Sequence, residues 1–299
     1  MDIMVWIIFN IFILLLLGLD LGVFHRKAHE IHFKEATLLI IFWIVISLMF
    51  NVGIYYVMGK HKALEFFTGY IIEKSLSIDN IFVFTLIFKY FAVPSKYQHQ
   101  VLFWGILGAI VFRGIFIYAG VSLIEKFHWI IYFFGLLLLF TGGKLFFEKD
   151  KKISPEKNPI LKLLRHCFPI SDTYQGHKFF THVKSKMSLT PLFVVLVVIE
   201  VTDIIFAVDS IPAILAITHD GFIVYSSNIF AILGLRALYF ALNSIMESFK
   251  YLHYSLSIIL VYIGIKMLIS DFYNIQIIYT LAFIIVVLSI SIIASIFHK

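Results

Sequence analysis

The chain has 299 residues, of which 61% are hydrophobic, 17% aromatic and only 14% charged. A soluble domain carries about 25% charged residues, and so apolar a chain cannot bury its hydrophobic surface in one water-soluble core. The composition therefore predicts a polytopic membrane protein. The net charge of +6 does not indicate nucleic-acid binding, because the basic residues lie in loops between apolar runs. The single cysteine, Cys167, excludes an intramolecular disulfide and a thiolate metal cluster.

Nine apolar runs are long enough to cross a bilayer, which requires about 20 residues. In chain order they are approximately 3–23, 36–58, 66–90, 100–122, 128–147, 191–217, 225–246, 253–270 and 276–297. The first run is interpreted as a span and not a cleaved signal peptide, because no basic segment precedes it. The polar stretch 148–189 is too short for a second domain and predicts a long connecting loop. We therefore expect residues 1–299 to form a single all-α transmembrane domain.

The 24 lysines and arginines predict the orientation of the chain. With the N-terminus outside, cytoplasmic loops carry 16 of them, outer loops carry three and five lie within spans. The positive-inside rule therefore predicts an outer N-terminus and a cytoplasmic C-terminus.

Charged residues inside the predicted spans recur in the same order in two parts of the chain. Each part has two acids six residues apart, an arginine one span later and a lysine one span after that. The first set is Glu73, Asp79, Arg113 and Lys144, and the second is Asp203, Asp209, Arg236 and Lys266. These sets define two predicted three-helix repeats, at about 66–147 and 191–270. Because each has an odd number of spans, the repeats must be inverted, which is typical of secondary transporters.

Six carboxylates lie inside apolar runs, where each costs about 2.5–3.5 kcal/mol at the centre of a span. They are Asp20, Glu73, Asp79, Glu200, Asp203 and Asp209. Structural ion pairs with the intramembrane cations are one interpretation, and a cation site is the other. Glu200 and Asp203 share a helix face. Asp209 joins them only if the helix is interrupted, and the neighbouring Pro212 gives a reason to expect an interruption.

Further oxygen donors accompany the acids at Asn80, Ser77 and Ser210. Carboxylate, amide and carbonyl oxygens together suit hard divalent cations such as Mg²⁺, Ca²⁺ and Mn²⁺. Without metal, clustered buried acids are expected to hold protons, so that metal entry would release them. This chemistry makes proton-coupled exchange a hypothesis for the chain.

Some residues resemble other functional motifs without completing them. His25, His29 and His32 have the spacing of a histidine box, but no further box follows, so solvated loop residues are expected. The chain also has no nucleotide-binding glycine loop and no hydrolase or metalloprotease motif. We therefore expect no enzymatic activity and no bound cofactor.

Two segments resemble the signature segments of a known family. They are Glu73-Lys-Ser-Leu-Ser-Ile-Asp-Asn80 with Phe82-Val-Phe84, and Glu200-Val-Thr-Asp-Ile-Ile-Phe-Ala-Val-Asp-Ser-Ile-Pro-Ala213. Both closely resemble the TerC, or tellurium-resistance, family of integral membrane proteins. The loop segments Asn158-Pro-Ile-Leu-Lys-Leu-Leu-Arg165 and Tyr174-Gln-Gly-His-Lys-Phe-Phe180 are similar to its Alx branch.

The resemblance implies a place in a wider group of cation and amino-acid exporters, with roles in manganese export and metal homeostasis. By older naming it also implies tellurite resistance or redox modulation. It further implies a metal site formed by the acids of both signatures. Those positions are Glu73, Asp79, Asn80, Glu200, Asp203 and Asp209.

We therefore expect a multi-pass transporter of the bacterial inner membrane that exports Mn²⁺ in exchange for protons. Its expected partners are the divalent metal ion as substrate and the lipid bilayer, with no nucleic acid. Residues expected to support the site or line the ion path are Asp20, Lys74, Ser77, Arg113, Lys144, Ser210, Arg236 and Lys266. The alternatives are an envelope-stress scaffold that docks partners through 148–189, a redox modulator and an exporter of an organic cation such as an amino acid.

Overall fold

The computed structural model describes residues 3–19, 33–127, 129–147, 168–171, 173–183, 186–243, 251–273 and 275–297. These residues form helices and one short hairpin. The helices are α1 (Ile3–Leu19), α2 (Phe33–Met58), α3 (Lys60–Tyr90), α4 (Ser95–Lys126), α5 (Ile130–Phe147), α6 (Pro191–Leu215), α7 (Gly221–Leu233), α8 (Leu235–Asn243), α9 (Leu252–Leu268) and α10 (Ile277–Phe297). The strands are β1 (Phe180–Val183) and β2 (Lys186–Leu189).

Six helical segments of the described chain are long and apolar enough to cross a membrane, with α7 and α8 counted as one segment. The apolar helices α1 and α9 are shorter, and α3 carries several charged residues along its 31 residues. The expected all-α membrane protein is confirmed. The number of nine spans stays a prediction.

Local sequence explains where several helices begin and end. Gly59 has a φ of 90°, a backbone conformation that glycine adopts without strain, and it separates α2 from α3. Pro191 begins α6, where a missing backbone N–H costs nothing. The carboxylate of Asp220 caps α7 by accepting hydrogen bonds from the backbone N–H groups of Phe222 and Ile223.

The expected interruption near Pro212 is wrong, because α6 continues through this residue to Leu215. Pro212 lies in the last turn of the helix, so the one backbone hydrogen bond that it removes does not divide the helix. The break occurs one span later, where Gly234 separates α7 from α8. A Cβ atom at Gly234 would lie 2.7 Å from Lys74 Nζ and 3.3 Å from Trp43 Cβ, so glycine leaves room here for a close approach.

Helices α5 and α9 form an extensive antiparallel contact. A Cβ atom on Gly264 would lie 2.8 Å from the Gly135 carbonyl oxygen, and Ser257 Oγ donates a 2.5 Å hydrogen bond to the Gly142 carbonyl. Seven residues separate the two contact positions on each helix. We call these two contacts the α5–α9 seam.

The other contacts between the predicted repeats are also reciprocal. Helix α3 runs parallel to α7, with Gly69 against Ser227 and a 3.1 Å hydrogen bond from Lys74 Nζ to the Ala231 carbonyl. Helix α4 runs parallel to α6, because Gly105 lies against Ile199 and, further along both helices, Gly120 lies against Leu215. If the two predicted repeats are exchanged, α3 takes the place of α6, α4 that of α7 and α5 that of α9. The α3–α7 pair then becomes the α6–α4 pair, and the α5–α9 pair stays the same. These directions support an inverted repeat, which itself stays a prediction.

The described part of 148–189 contains a hairpin that the sequence did not predict. Strands β1 and β2 pair antiparallel, and Ile170 makes a parallel bridge to Leu189. The segment packs on the turn between α3 and α4, where Tyr174 Oη donates a 2.7 Å hydrogen bond to the Phe91 carbonyl. Burial raises the pKa of Tyr174 to about 12. The described residues between 168 and 190 therefore form a cap over the α3–α4 turn.

Candidate functional site

Arg113 of α4 lies between two acids, one from each predicted repeat, in the interior of the bundle. Its Nη1 atom donates a short hydrogen bond to Glu73 Oε1 of α3. Its Nη2 and Nε atoms lie 3.2 and 3.4 Å from the two carboxylate oxygens of Asp203 on α6. The side chains of all three are at most 5% exposed. We call Glu73, Arg113 and Asp203 the central triad.

Two uncharged residues complete the surroundings of the guanidinium. Arg113 Nη1 lies 2.9 Å from Asn228 Oδ1 on α7 and 3.4 Å from Ser210 Oγ on α6. Asn228 itself donates 2.9 Å to the Val224 carbonyl of its own helix, which orients the amide oxygen toward Arg113. Sequence reasoning missed Asn228 because it followed charged residues, whereas a buried asparagine in an apolar run was the available signal.

The central triad carries a net negative formal charge. Two buried carboxylates without a counter-charge would cost several kcal/mol each, and the single guanidinium leaves the triad with a net formal charge of −1. Glu73 Oε2 has no hydrogen-bond partner among the described residues. The triad therefore retains one unused buried oxygen and a negative excess that suits a cation.

The second acid of each pair lies away from the triad. Asp209 Oδ1 accepts a 3.0 Å hydrogen bond from Thr141 Oγ1 on α5, and Asp79 is half-buried on α3. Residues six positions apart point to different sides of an unbroken helix, so Asp203 faces α4 while Asp209 faces α5. Thr141 was not among the predicted residues.

Glu200 lies against the backbone of α4, one turn before Asp203. A Cβ atom at Gly108 would lie 2.0 Å from Glu200 Oε1, so this glycine provides the space for the carboxylate. Glu200 Oε2 is buried and has no hydrogen-bond partner within the part of the chain that the structure describes. Asn80 and Ser77 are both buried on α3.

The remaining predicted cations have separate environments. Lys74 bonds to the Ala231 carbonyl, and Arg236 Nη1 lies 2.7 Å from His99 Nε2. Lys144 lies in the last turn of α5 and Lys266 in the last turn of α9. The predicted residue Asp20 and the trio His25, His29 and His32 lie outside the described residues.

Among the described residues, no group of three or more histidines, cysteines, aspartates and glutamates could hold a metal ion. The structure brings Glu73 and Asp203 together but not all six acidic and amide residues of the expected ligand set. That ligand set stays a prediction. In the described arrangement, a metal ion reaches both Glu73 and Asp203 only if Arg113 moves away from one of them.

A further charged group lies at the end of the bundle where α3 begins and α6 ends. Glu65 is buried, and its carboxylate accepts hydrogen bonds from Lys62 Nζ at 2.8 Å and from Thr218 Oγ1 at 2.7 Å. His61 Nδ1 lies 3.1 Å from the same carboxylate, and Lys62 lies 3.3 Å from Asp220. Sequence reasoning missed Glu65 because the predicted span began at residue 66, whereas α3 begins at residue 60.

The model of the integral membrane protein TerC family matches residues 58–299, which includes the central triad and both signature segments. The chain belongs to the TerC family. No solved structure matches the chain.

Relatives of this TerC-family chain extend over most of its length. A protein of Myxococcus xanthus named "Uncharacterized membrane protein STKORF319" is 49% identical over 89% of this chain and 84% of its own length. A membrane protein of Rickettsia bellii is 46% identical over 99% of this chain and 98% of its own length. A Salmonella typhi protein, named "Putative membrane-bound redox modulator Alx", is 44% identical over 97% of this chain and 93% of its own length. These relatives confirm the resemblance to the Alx branch.

Proposed function

We propose that the chain exports a divalent metal cation, most specifically Mn²⁺, across the bacterial inner membrane in exchange for protons. The observation that carries the proposal is the central triad, in which one acid from each predicted repeat meets a single guanidinium in the interior. Polar residues at the interface of inverted repeats are where secondary transporters bind their substrates. Oxygen ligands suit Mn²⁺.

In this proposal Arg113 is an internal counter-ion for the empty site. The guanidinium balances one of the two charges of Glu73 and Asp203, and a divalent ion would balance both. Entry of the metal would therefore displace Arg113 toward Asn228 and Ser210, which already bond to it. Its return would favour release of the metal on the other side.

The remaining acids have supporting roles in the proposal. Asp79 and Asp209 would bind the ion at entry and exit, on the faces of α3 and α6 that point away from Arg113. Glu200, Asn80, Ser77 and Ser210 would supply further oxygens as the ion passes, and Asp20 could lie on the ion path. Lys74, Lys144 and Arg236 would offset the negative charge of the empty pathway.

Transport into proteoliposomes tests this function. Mn²⁺ flux under an imposed pH gradient is measured for the native chain, Asp79→Asn, Asp209→Asn and, as a surface control, Lys126→Gln. We expect flux in the native chain and the control, and its loss in both aspartate variants with folding intact. Equal flux in all four proteins would make the acids structural. Flux that does not respond to the pH gradient would refute the proton coupling.

The name of the Salmonella typhi relative favours redox modulation as a second candidate function. A redox role for this chain would require a redox-active group, and Cys167 is its only cysteine. Absorption spectra of purified protein and of Cys167→Ser, together with the redox state of cellular thiols, test this candidate. A visible chromophore, or a Cys167→Ser phenotype with normal Mn²⁺ flux, would favour redox modulation over export.

A further inference from the structure

A cavity of about 850 Å³ lies at the end of the bundle where α3 begins and α6 ends. Its walls come from the start of α3, the turn after α6, the last turn of α9 and the start of α10. The predicted orientation places this end on the outer side of the membrane. Small-molecule sites have volumes of about 300–1,000 Å³, so the cavity is large enough for a ligand.

The acid in the wall of this cavity is already neutralised. Glu65 is the one carboxylate among the lining residues, and Lys62, Thr218 and His61 all bond to it or lie beside it. Lys62 is in turn shared with Asp220, at 3.3 Å. Glu65 and Asp220 are thus both engaged by Lys62.

Lys266 lines the same cavity from the last turn of α9. Its side chain is half-buried, and no hydrogen bond or ion pair joins that side chain to any other described residue. A partly buried ammonium group needs a counter-charge or hydrogen-bond acceptors, and the space in front of Lys266 is the cavity itself. Gln276 lies in the same wall, and its side-chain amide carries two hydrogen-bond donors.

We propose that this cavity binds an anion of the phosphate class, with Lys266 as its charged contact. A lysine ammonium binds phosphate as a point charge, and the neighbouring side-chain amide of Gln276 supplies additional donors. The phosphate group is that of free inorganic phosphate or of an anionic lipid headgroup at the membrane surface. This inference concerns an anion at the outer end of the bundle and does not rest on metal export through the central triad.

Binding of inorganic phosphate is tested by calorimetry on the full chain purified in a neutral detergent. The variants are Lys266→Met, which removes the charge, Lys266→Arg, which keeps it, and Lys126→Met, an exposed lysine outside the cavity. We expect Lys266→Met to weaken binding at least tenfold. Native affinity is expected to be retained in Lys126→Met and largely retained in Lys266→Arg. Each variant is first checked for a native melting temperature, and Lys266→Gln replaces Lys266→Met if that variant does not fold.

Nanodiscs of phosphatidylcholine with and without phosphatidylglycerol distinguish the two sources of the phosphate group. Stabilisation of the native chain, but not of Lys266→Met, by the anionic lipid identifies a headgroup, whereas calorimetric binding of free phosphate identifies a soluble anion. The inference is overturned if the native chain responds to neither ligand, or if Lys266→Met responds as strongly as Lys126→Met. Asp203→Asn is expected to retain anion binding even if it abolishes metal transport, so the two proposals fail separately.

Discussion

Replacing Arg113 by glutamine would leave two carboxylates buried without their cation. Glu73 and Asp203 are 0% and 4% exposed, so water cannot substitute for the guanidinium. Removing one partner of a buried ion pair costs about 3–5 kcal/mol, and Arg113 serves two acids. We expect the free energy of unfolding to fall by an amount near the upper end of that range. This corresponds to a fall in melting temperature on the order of 10 °C.

The assay is thermal unfolding of the detergent-solubilised protein, followed by loss of the monodisperse peak in size-exclusion chromatography. A triple variant with Arg113→Gln, Glu73→Gln and Asp203→Asn removes all three charges together, and we expect it to recover most of the lost stability. If the two acids bind metal, Mn²⁺ at 100 times its dissociation constant would stabilise Arg113→Gln by about 2.7 kcal/mol. The triple variant should not respond to Mn²⁺.

Three results would count against this reasoning. An Arg113→Gln variant that melts within a degree of the native chain would mean that the triad does not stabilise the fold. A triple variant no more stable than Arg113→Gln would mean that the loss comes from packing of the arginine and not from its charge. Absence of any Mn²⁺ effect on Arg113→Gln would count against these acids as metal ligands.

Three further changes test other parts of the structure. Gly264→Ala places a methyl group 2.8 Å from a backbone oxygen of α5, so we expect the free energy of unfolding to fall by about 1–3 kcal/mol. Gly143 has open space around it, so the control Gly143→Ala should melt as the native chain does. Tyr174→Phe removes the hydrogen bond that holds the cap on the α3–α4 turn. We expect the free energy of unfolding to fall by about 1 kcal/mol and proteolysis within residues 168–190 to be faster. An unchanged rate of cleavage would contradict this. Partial burial lowers the pKa of Lys62, but its two carboxylate partners outweigh burial and raise it above 10.5. A raised lysine pKa stabilises the folded state below pH 10.5, and this contribution is lost as the pH rises through the pKa of the folded state. The free energy of unfolding of the native chain should therefore fall more steeply above pH 10.5 than that of Lys62→Gln. Parallel plots of this free energy against pH for the two proteins would argue against the ion pairs.

The sequence was sufficient to predict the parts of the structure that depend on hydropathy and on rare intramembrane charges. The apolar runs correspond to helices, because a backbone in hydrocarbon must satisfy its hydrogen bonds internally. The recurring order of charges singled out Glu73, Asp203 and Arg113, and the structure brings these three residues together.

The residues that the sequence did not reveal depend on tertiary contacts. Asn228 is one of several polar residues in an apolar run, and only its contact with Arg113 distinguishes it. Glu65 lies beyond the predicted end of a span because hydropathy does not detect a single buried acid near the polar start of a helix. The β1–β2 hairpin forms in a polar stretch whose short strands have no strong periodic pattern. Pro212 shows the opposite error, because a proline in the last helical turn costs little.

The α5–α9 seam has the symmetry of an interface between two identical subunits. Aligning Lys144 with Lys266 superposes Gly142 on Gly264 and Gly135 on Ser257, so the exchange of halves converts one contact of the seam into the other. Interfaces of this kind are isologous, since the same patch serves both partners. A half-length chain inserted into the membrane in both orientations would bury the same patch against its own copy. The present chain would then correspond to such a dimer of oppositely inserted subunits, joined into one polypeptide. In this form the sequence of each half can change independently of the other.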